Sequence, residues 1–240
     1  AGQTAELVLD FDANRSVVIT GNEVSGRGYL LKPTIKVVKA LNYPMVKGVV
    51  KDDAGNPLAN AVVSAQTVDS AGRPEVFTST LSSDQEGQIG AYQMYLPTGT
   101  YYIVAYKGNI TDDQGDPAAY GPSCRIVEAA ALNGVYGPGD FELELTATGD
   151  IEVDVTLPDA SEEETLTATI RVLKTAPCGD SAGNMIAVVS QSVGDSGTYY
   201  LSVPVSEEGY TVVATTSDGN TLEKQATVTE SIVFDFTRAE

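Results

Sequence analysis

Hydrophobic and polar residues alternate along most of this chain, and one alternating pattern occurs twice. Residues 90–97, Gly-Ala-Tyr-Gln-Met-Tyr-Leu-Pro, reappear as residues 197–204, Gly-Thr-Tyr-Tyr-Leu-Ser-Val-Pro. A few positions further on, residues 99–105 correspond to residues 208–214. Alternation with a period of two is typical of a β-strand with one buried face. Because the whole pattern recurs in the same order, the chain is predicted to contain two copies of one β-sandwich unit.

One face of the repeated strands is predicted to form the core of each unit. Successive side chains of a strand point to opposite faces, so every second residue lies on the same side. The opposite face carries polar residues such as Gln93, Ser202 and Thr211, which tolerate water. The residues predicted to point inward are Tyr92, Met94, Leu96, Tyr101, Ile103 and Ala105 in the first copy, and Tyr199, Leu201, Val203, Tyr210, Val212 and Ala214 in the second.

Turn residues divide the chain into three segments. Residues 1–43 predict three strands, too few for an independent sandwich, so this segment is expected to pack on the next unit or to be the remainder of another domain. Residues 44–158 and residues 159–240 each hold one copy of the repeated pattern. The predicted fold class is therefore all-β, with two tandem sandwiches and an extra N-terminal strand segment.

Two connections in the middle segment are expected to lie at the surface. Residues 107–122, rich in Gly, Asp and Pro, predict a long loop. Residues 148–150, Thr-Gly-Asp, predict the turn of a hairpin between strands at residues 142–147 and 151–157.

Composition narrows the possible functions. The chain has 240 residues, 42% of them hydrophobic, which is enough for about two domains with their own cores. Its 14 basic and 33 acidic residues give a net charge of −19, a field that repels nucleic acid and anionic membrane surfaces and attracts calcium or cationic partners. No apolar run approaches the length of a membrane span.

The residue types that most enzymes need are missing. The chain has no histidine, which removes the commonest general base, the serine-histidine and cysteine-histidine pairs, and most zinc sites. No nucleotide-binding or nucleophile motif precedes a predicted helix, and no pair of carboxylates stands out for glycoside hydrolysis. We therefore expect a protein that is not an enzyme and has no catalytic residue.

Residues 46–64 resemble the opening of the carboxypeptidase regulatory-like domain. The similarity continues in an Asp-x-x-Gly turn at residues 84–87, a Gly-x-Tyr strand at residues 90–96 and a Pro-x-Gly-x-Tyr corner at residues 97–101. The last segment resembles a divergent relative that keeps the strand at residues 197–204. The resemblance implies a transthyretin-like, immunoglobulin-related β-sandwich for each of the two units.

Residues 6–38 resemble the end of a bacterial lipoprotein domain of unknown function, through residues 9–18 and 29–37. Members of both families are typically exported and non-catalytic, and act as spacers or as surface and carbohydrate-associated modules. The resemblance thus implies an exported cell-envelope module in the bacterial periplasm, at the outer surface or outside the cell, directed there by a removed lipoprotein or secretory signal. Its partner would be a protein or a glycan.

Three aspartates in the predicted loop are candidate calcium ligands: Asp112, Asp113 and Asp116. Several carboxylates around a glycine can offer the oxygen ligands that calcium prefers. The alternative is an ordinary acidic surface loop in a strongly negative chain. Calcium is the one cofactor that the sequence leaves open.

Two further sets of residues have a possible role. Cys124 and Cys178 lie in different segments and can form one disulfide between the units, which an exported protein permits, or remain two buried thiols. The alternative function is a carbohydrate-binding module, possibly assisted by calcium, that uses the loop at residues 107–122. Because the chain has no Trp, its candidate sugar-stacking rings are Tyr106, Tyr120 and Tyr136, and the lack of Trp weakens this alternative.

Overall fold

The structure, a computed structural model, describes residues 7–11, 16–21, 26–32, 35–39, 43–132, 134–158 and 166–237. The elements in these ranges are β-strands, so the predicted all-β class is confirmed. None of the described residues forms a helix with the length and apolarity that crossing a membrane requires. The strands are β1 (Leu7–Phe11), β2 (Val17–Thr20), β3 (Gly28–Leu31), β4 (Ile35–Lys39), β5 (Met45–Asp52), β6 (Val62–Val68), β7 (Pro74–Leu81), β8 (Ala91–Tyr95), β9 (Gly99–Thr111), β10 (Pro117–Ala129), β11 (Val135–Tyr136), β12 (Phe141–Leu143), β13 (Leu145–Thr156), β14 (Ala168–Cys178), β15 (Ser181–Val193), β16 (Gly197–Pro204), β17 (Tyr210–Thr216), β18 (Thr221–Ala226) and β19 (Ser231–Asp235).

Most strands belong to one large sheet. Thirteen strands are linked by hydrogen bonds, and the main path runs β3-β2-β15-β14-β10-β9-β6-β7. β13 branches from β10 and pairs with β16 and β19, while β17 and β18 continue from β14. A four-stranded sheet has β5 at its centre, paired with β8, β11 and β12. β1 and β4 form a separate antiparallel pair.

The N-terminal core lies between the four-stranded sheet and the β6, β9 and β10 part of the large sheet. Its buried residues include Val46 and Val50 from β5, Val63 from β6 and Phe141 from β12. All six residues predicted to point inward in the first copy belong to this cluster, so the predicted face is confirmed. We refer to this cluster as the N-terminal core.

The C-terminal core is enclosed differently. β13, β16 and β19 cover one side of it and β14, β15 and β17 the other, and all six belong to the large sheet. The large sheet curls around this core like half of a barrel. The six inward residues predicted in the second copy are all buried here, again as predicted. The described residues thus form two β-sheet cores, the second of which is closed by a curled sheet, and the prediction of two tandem sandwiches is not confirmed.

The sequence repeat corresponds to a repeated contact. The hydroxyl of Tyr101 donates to the carbonyl oxygen of Pro97 at 3.1 Å, and the hydroxyl of Tyr210 donates to the carbonyl oxygen of Pro204 at 2.5 Å. Each ring belongs to a core, and each hydroxyl satisfies the backbone at the bend between two strands. The two copies therefore share this tyrosine-to-proline contact as well as the alternation.

The prediction of a long loop at residues 107–122 is wrong. β9 and β10 continue through most of it as an antiparallel pair, and only residues 112–116 form the turn. Two shifts in register, on either side of Tyr120, take up the irregular residues of β10. Such bulges let a strand continue through a sequence of low strand propensity.

The hairpin predicted around residues 148–150 is also wrong, because β13 runs through them without a break. Gly149 and Asp150 pair with Val203 and Ser202 of β16. A Cβ on residue 149 would lie 2.9 Å from the Cβ of Val228, so this glycine permits a close approach of another segment instead of a turn. The boundary at residue 158 stays a prediction, and the buried residues of β13 before it pack in the C-terminal core.

Among the described residues of the N-terminal segment, β2 pairs with the last segment. β2 pairs in parallel with β15, with Val18 opposite Ser192, and β3 follows β2 at the edge of the large sheet. Val18 is buried in this contact. The sequence could not reveal this pairing because the two strands are more than a hundred residues apart.

Candidate functional site: the junction between the two cores

The most elaborate set of contacts in the described structure lies where β6, β7, β9 and β10 meet β14 and β15. We call this region the junction. Two small apolar clusters fill it, apart from both main cores. The first consists of Val104, Cys124, Ala176, Cys178 and Ile186, and the second of Val76, Leu173, Ala187 and Val213.

A disulfide crosses the junction. The sulfur atoms of Cys124 in β10 and Cys178 in β14 are 1.95 Å apart, and their Cα atoms are 4.5 Å apart. Both residues are at most 2% exposed. The two strands run parallel at this point, and the N–H of Gly179 donates to the carbonyl oxygen of Cys124 at 3.2 Å. The bond therefore joins strands that contribute to different cores.

A buried glutamine joins the same two parts of the chain by hydrogen bonds. Nε2 of Gln66 donates to the carbonyl oxygen of Ala187 at 2.7 Å, and Oε1 accepts from the N–H of Ala187 at 2.8 Å. Nε2 also donates to Oγ of Ser64 at 2.9 Å. Gln66 is fully buried, so these bonds form away from water, where an unpaired polar group is costly.

The backbone at Ala187 is available because β15 is irregular there. Leu173 of β14 lies opposite Ala187, whereas its neighbour Val172 lies opposite Val189, so one residue of β15 is unpaired between them. This bulge turns the polar groups of Ala187 toward β6. The Gln66 amide thus takes the place of a neighbouring strand.

Arg171 makes a third polar contact across the junction. Nη1 of Arg171, in β14, donates to the carbonyl oxygen of Pro74 at the start of β7, at 2.7 Å. The residue is only 8% exposed, although it carries a full charge. A charged donor usually gives a stronger bond than a neutral one.

The contacts of the junction are suited to keeping the two cores in one relative position. One covalent bond, two apolar clusters and a set of satisfied buried polar groups act between the same elements. A buried amide fixes register because a shift would leave its partners unpaired. Among the described residues no three His, Cys, Asp or Glu side chains are grouped so that they could hold a metal ion.

The three candidate calcium ligands lie at the tip of the β9–β10 hairpin. Oδ1 of Asp112 accepts hydrogen bonds from the N–H groups of Gln114 and Asp116, both at 2.9 Å, and so caps the turn. Gly115 has a φ of 87°, the left-handed conformation that the turn needs. Asp112 thus has a structural role in the turn, and calcium binding by the three aspartates stays a prediction.

The candidate glycan-stacking tyrosines are not free rings. Tyr106 is only 8% exposed, so its ring is covered by protein, and its contact with a sugar stays a prediction. Tyr120 and Tyr136 are half-buried and pack against the N-terminal core. The hydroxyl of Tyr136 accepts from the N–H groups of Ala130 and Ala131 at 3.0 and 2.7 Å.

Sequence reasoning missed Gln66, Ala187 and Arg171. The one signal for Gln66 was a long polar side chain that follows the apolar run of residues 61–65. Nothing in the sequence marks Ala187 as its partner, because the contact depends on how two distant strands meet.

Comparison with known proteins identifies no family. No family model matches the chain, and no curated protein matches it. Solved structures that match this chain include the TIE protein of Bacillus anthracis, with a TM-score of 0.32 and 11% identity over 96% of this chain. This chain spans 47% of the length of the TIE protein.

Two other solved structures come from bacterial proteins. A Streptococcal ancillary pilin has a TM-score of 0.30 and 10% identity, covering 86% of this chain and 70% of the pilin. A Bacteroides thetaiotaomicron protein described as polysaccharide-binding has a TM-score of 0.28 and 9% identity, covering 81% of this chain and 91% of its own. At these TM-scores the similarity assigns neither a family nor a function to this chain.

Proposed function

We propose that this chain is a non-enzymatic, exported module of the bacterial cell envelope that acts as a stiff structural spacer and presents its surface to a protein or glycan partner. The observation that carries the proposal is the junction, where Gln66 pairs with Ala187 beside the Cys124–Cys178 disulfide. Independent domains on a flexible linker would not need a buried, fully bonded amide between them. A spacer needs such a contact because it must keep its length under load.

Export is supported by the chemistry of the two cysteines. Disulfides persist in oxidising compartments and are rare in the bacterial cytosol, where thiols are kept reduced. Both cysteines of this chain are engaged in the bond. A net charge of −19 also keeps an exported surface module soluble and separate from other copies.

The finer description belongs to the same proposal. The domains would be an N-terminal strand segment at residues 1–43, a carboxypeptidase regulatory-like β-sandwich at residues 44–158 and a divergent sandwich of that type at residues 159–240. The repeated corners at Tyr101 and Tyr210 support a common origin of the two units. The absence of histidine from the sequence supports a role without catalysis.

Residual dipolar couplings measured by NMR test whether the two cores form one stiff unit. We expect the alignment tensors fitted separately to the amides of the two cores to agree in magnitude and orientation. Gln66→Ala combined with Cys124→Ala and Cys178→Ala should separate the tensors, whereas Gln93→Ala, an exposed change, should leave them identical. Two different tensors in the unaltered protein would overturn the spacer proposal.

A further inference from the structure

Two strands at open edges of the large sheet have sequences that complement each other. β3 ends the main path of this sheet, and among the described strands it pairs only with β2. Within the same ranges β19 pairs only with β13. Both strands are attached to the C-terminal core, β19 directly and β3 through β2 and β15. Each therefore has one side to which no described strand is hydrogen-bonded.

The open edge of β3 carries large apolar side chains on both of its faces. Tyr29, Leu30 and Leu31 are 73%, 46% and 59% exposed. Folded proteins usually protect a sheet edge with charged side chains or a covering segment, because an exposed apolar edge recruits other strands. Here the charged residues, Arg27 and Lys32, lie only at the two ends of the strand. β3 is thus suited to receive another strand.

The backbone of β3 presents two residues to such a strand. The N–H of Lys32 donates to the carbonyl oxygen of Ser16 at 2.7 Å, beside β2. In an antiparallel pair every second residue is hydrogen-bonded to the neighbouring strand, so Leu30 is bonded to β2 as well. The N–H and C=O groups of Tyr29 and Leu31 consequently point to the open side.

β19 also has backbone groups that point away from its partner strand. The N–H of Glu152, in β13, donates to the carbonyl oxygen of Glu230 at 3.0 Å, and the N–H of Phe236 donates back to β13 at 2.9 Å. Every second residue between these positions is bonded to β13, as in any parallel pair. The N–H and C=O groups of Ser231 and Val233 are therefore directed to the open side of β19.

The ends of the two strands have opposite charges. The segment Arg27–Lys32 is basic at both ends, and the segment Glu230–Asp235 has the same length and is acidic at both ends. In an antiparallel pair, which is slightly more stable than a parallel one, Arg27 lies opposite Asp235 and Lys32 lies opposite Glu230. Opposite charges in facing positions stabilise a strand pair.

The alignment that matches these charges also matches the backbone groups. It places Tyr29 opposite Val233 and Leu31 opposite Ser231, so residues with outward N–H and C=O groups face each other. A shift by one residue would set the outward groups of one strand against residues already bonded to their own sheet. A shift by two would separate both charge pairs. Charge and hydrogen bonding thus select the same antiparallel register.

Charge also favours pairing between unlike strands. Two copies of β3 in antiparallel contact would place Arg27 opposite Lys32, and like charges in facing positions are destabilising. The net charge of −19 keeps most surfaces of two copies apart, but it is unevenly distributed. Residues 1–43 hold five basic and four acidic residues, whereas residues 44–240 hold nine basic and 29 acidic ones. The N-terminal segment is therefore the part of one copy that the acidic remainder of another repels least.

We propose that β3 of one copy of this chain pairs antiparallel with β19 of a second copy, so that copies associate head to tail. Such a contact uses two different surfaces and leaves one of each open, so it extends into chains. The contact is short, and we expect an affinity in the micromolar to millimolar range. The proposal goes beyond the spacer function and does not depend on a stiff junction, because both strands belong to the C-terminal core.

Analytical ultracentrifugation over micromolar to millimolar concentrations tests the pairing. We expect the average mass of the unaltered protein to rise with concentration and to pass that of a dimer. Tyr29→Pro and Val233→Pro each remove one outward N–H, at a side of an edge strand where proline is accepted. Each variant alone should stay monomeric, and a mixture of the two should form dimers and nothing larger. Tyr29→Phe, which keeps the N–H and the ring, is the matched control and should associate like the unaltered protein.

Charge variants test the register without changing the backbone. Lys32→Glu should weaken association by about tenfold, because it sets two glutamates opposite each other. Adding Glu230→Lys to the same chain should restore the affinity, since the charge pair is then re-formed in the reverse sense. A monomeric unaltered protein at millimolar concentration, growth that stops at a dimer, or a double charge variant no better than Lys32→Glu would overturn the proposal.

Discussion

The side-chain amide of Gln66 makes both backbone hydrogen bonds of Ala187, a residue 121 positions further along the chain. Gln66 belongs to the strand layer of the N-terminal core and Ala187 to the layer of the C-terminal core. The amide therefore acts as a one-residue extension of the sheet between them. The disulfide and the Arg171 contact lie in the same junction as this pair.

Loss of the Gln66 amide should destabilise the protein strongly. Gln66→Ala leaves the N–H and C=O of Ala187 buried without partners, and each such group costs about 1–3 kcal/mol. We expect the free energy of unfolding to fall by about 3 kcal/mol in urea denaturation followed by circular dichroism. Gln93→Ala, on the exposed face of β8, should change it by less than about 0.5 kcal/mol. Equal effects of the two variants would show that the hydrogen bonds between Gln66 and Ala187 contribute nothing to stability.

The disulfide should contribute through the loop that it closes. Cys124 and Cys178 are 54 positions apart, which corresponds to roughly 4 kcal/mol in the chain-entropy model. Calorimetry should show a lower melting temperature for the double variant Cys124→Ala, Cys178→Ala. A reductant should lower the melting temperature of the unaltered protein toward that of the variant and leave the variant unchanged. A variant that melts with the unaltered protein would contradict this expectation.

Substitution of two glycines, Gly87 and Gly90, can distinguish the cost of backbone strain from the cost of a steric clash. Gly90 and Gly87 have φ of 79° and 81°. Substitution by alanine at either position should therefore lower the free energy of unfolding by about 1–2 kcal/mol. Only at Gly90 would the new Cβ meet protein, 2.6 Å from the carbonyl oxygen of Val50, whereas nothing lies within 4 Å at Gly87. We therefore expect Gly90→Ala to be clearly more destabilising than Gly87→Ala in urea denaturation. Similar losses would mean that β5 and β8 can move apart freely.

Stability should decline at alkaline pH because of the buried tyrosines. Burial raises the pKa of Tyr106 to about 12, and burial also raises the pKa of Tyr92 and Tyr210. Above about pH 10, the pKa of an unfolded tyrosine, the unfolded chain loses protons that the folded chain keeps. The stabilisation is complete below about pH 10 and is lost as pH rises through the folded pKa values.

Urea midpoints measured across this range provide the test. Each such tyrosine should reduce the free energy of unfolding by up to about 1.4 kcal/mol per pH unit. The decline should be shallower for Tyr106→Phe than for the unaltered protein. Below about pH 9, Tyr106→Phe should be as stable as the unaltered protein or slightly more so, since it removes an unpartnered polar atom. A constant midpoint up to about pH 11 would contradict both expectations.

The errors of sequence interpretation have a common cause. Residues 107–122 and residues 148–150 have the composition of turns. Apart from the turn at residues 112–116, they lie in strands because neighbouring strands supply hydrogen-bond partners. Gly149 is a glycine because Val228 lies against it, a fact of packing with no local signature. Tyr106 stands next to residues that predict a surface loop, and yet its ring is buried.

The strand class, the repeat and the buried face of each repeated strand, from Tyr92 to Ala105 and from Tyr199 to Ala214, could be predicted from the amino-acid sequence. These properties follow from side chains that alternate along a single strand, so neighbouring residues are sufficient to define them. Three other features became visible only in the folded protein: β13 packs in the C-terminal core, Gln66 bonds to Ala187, and the Tyr106 ring is buried. Those features depend on the docking of strands far apart in the chain, where a shift of one residue would exchange every partner.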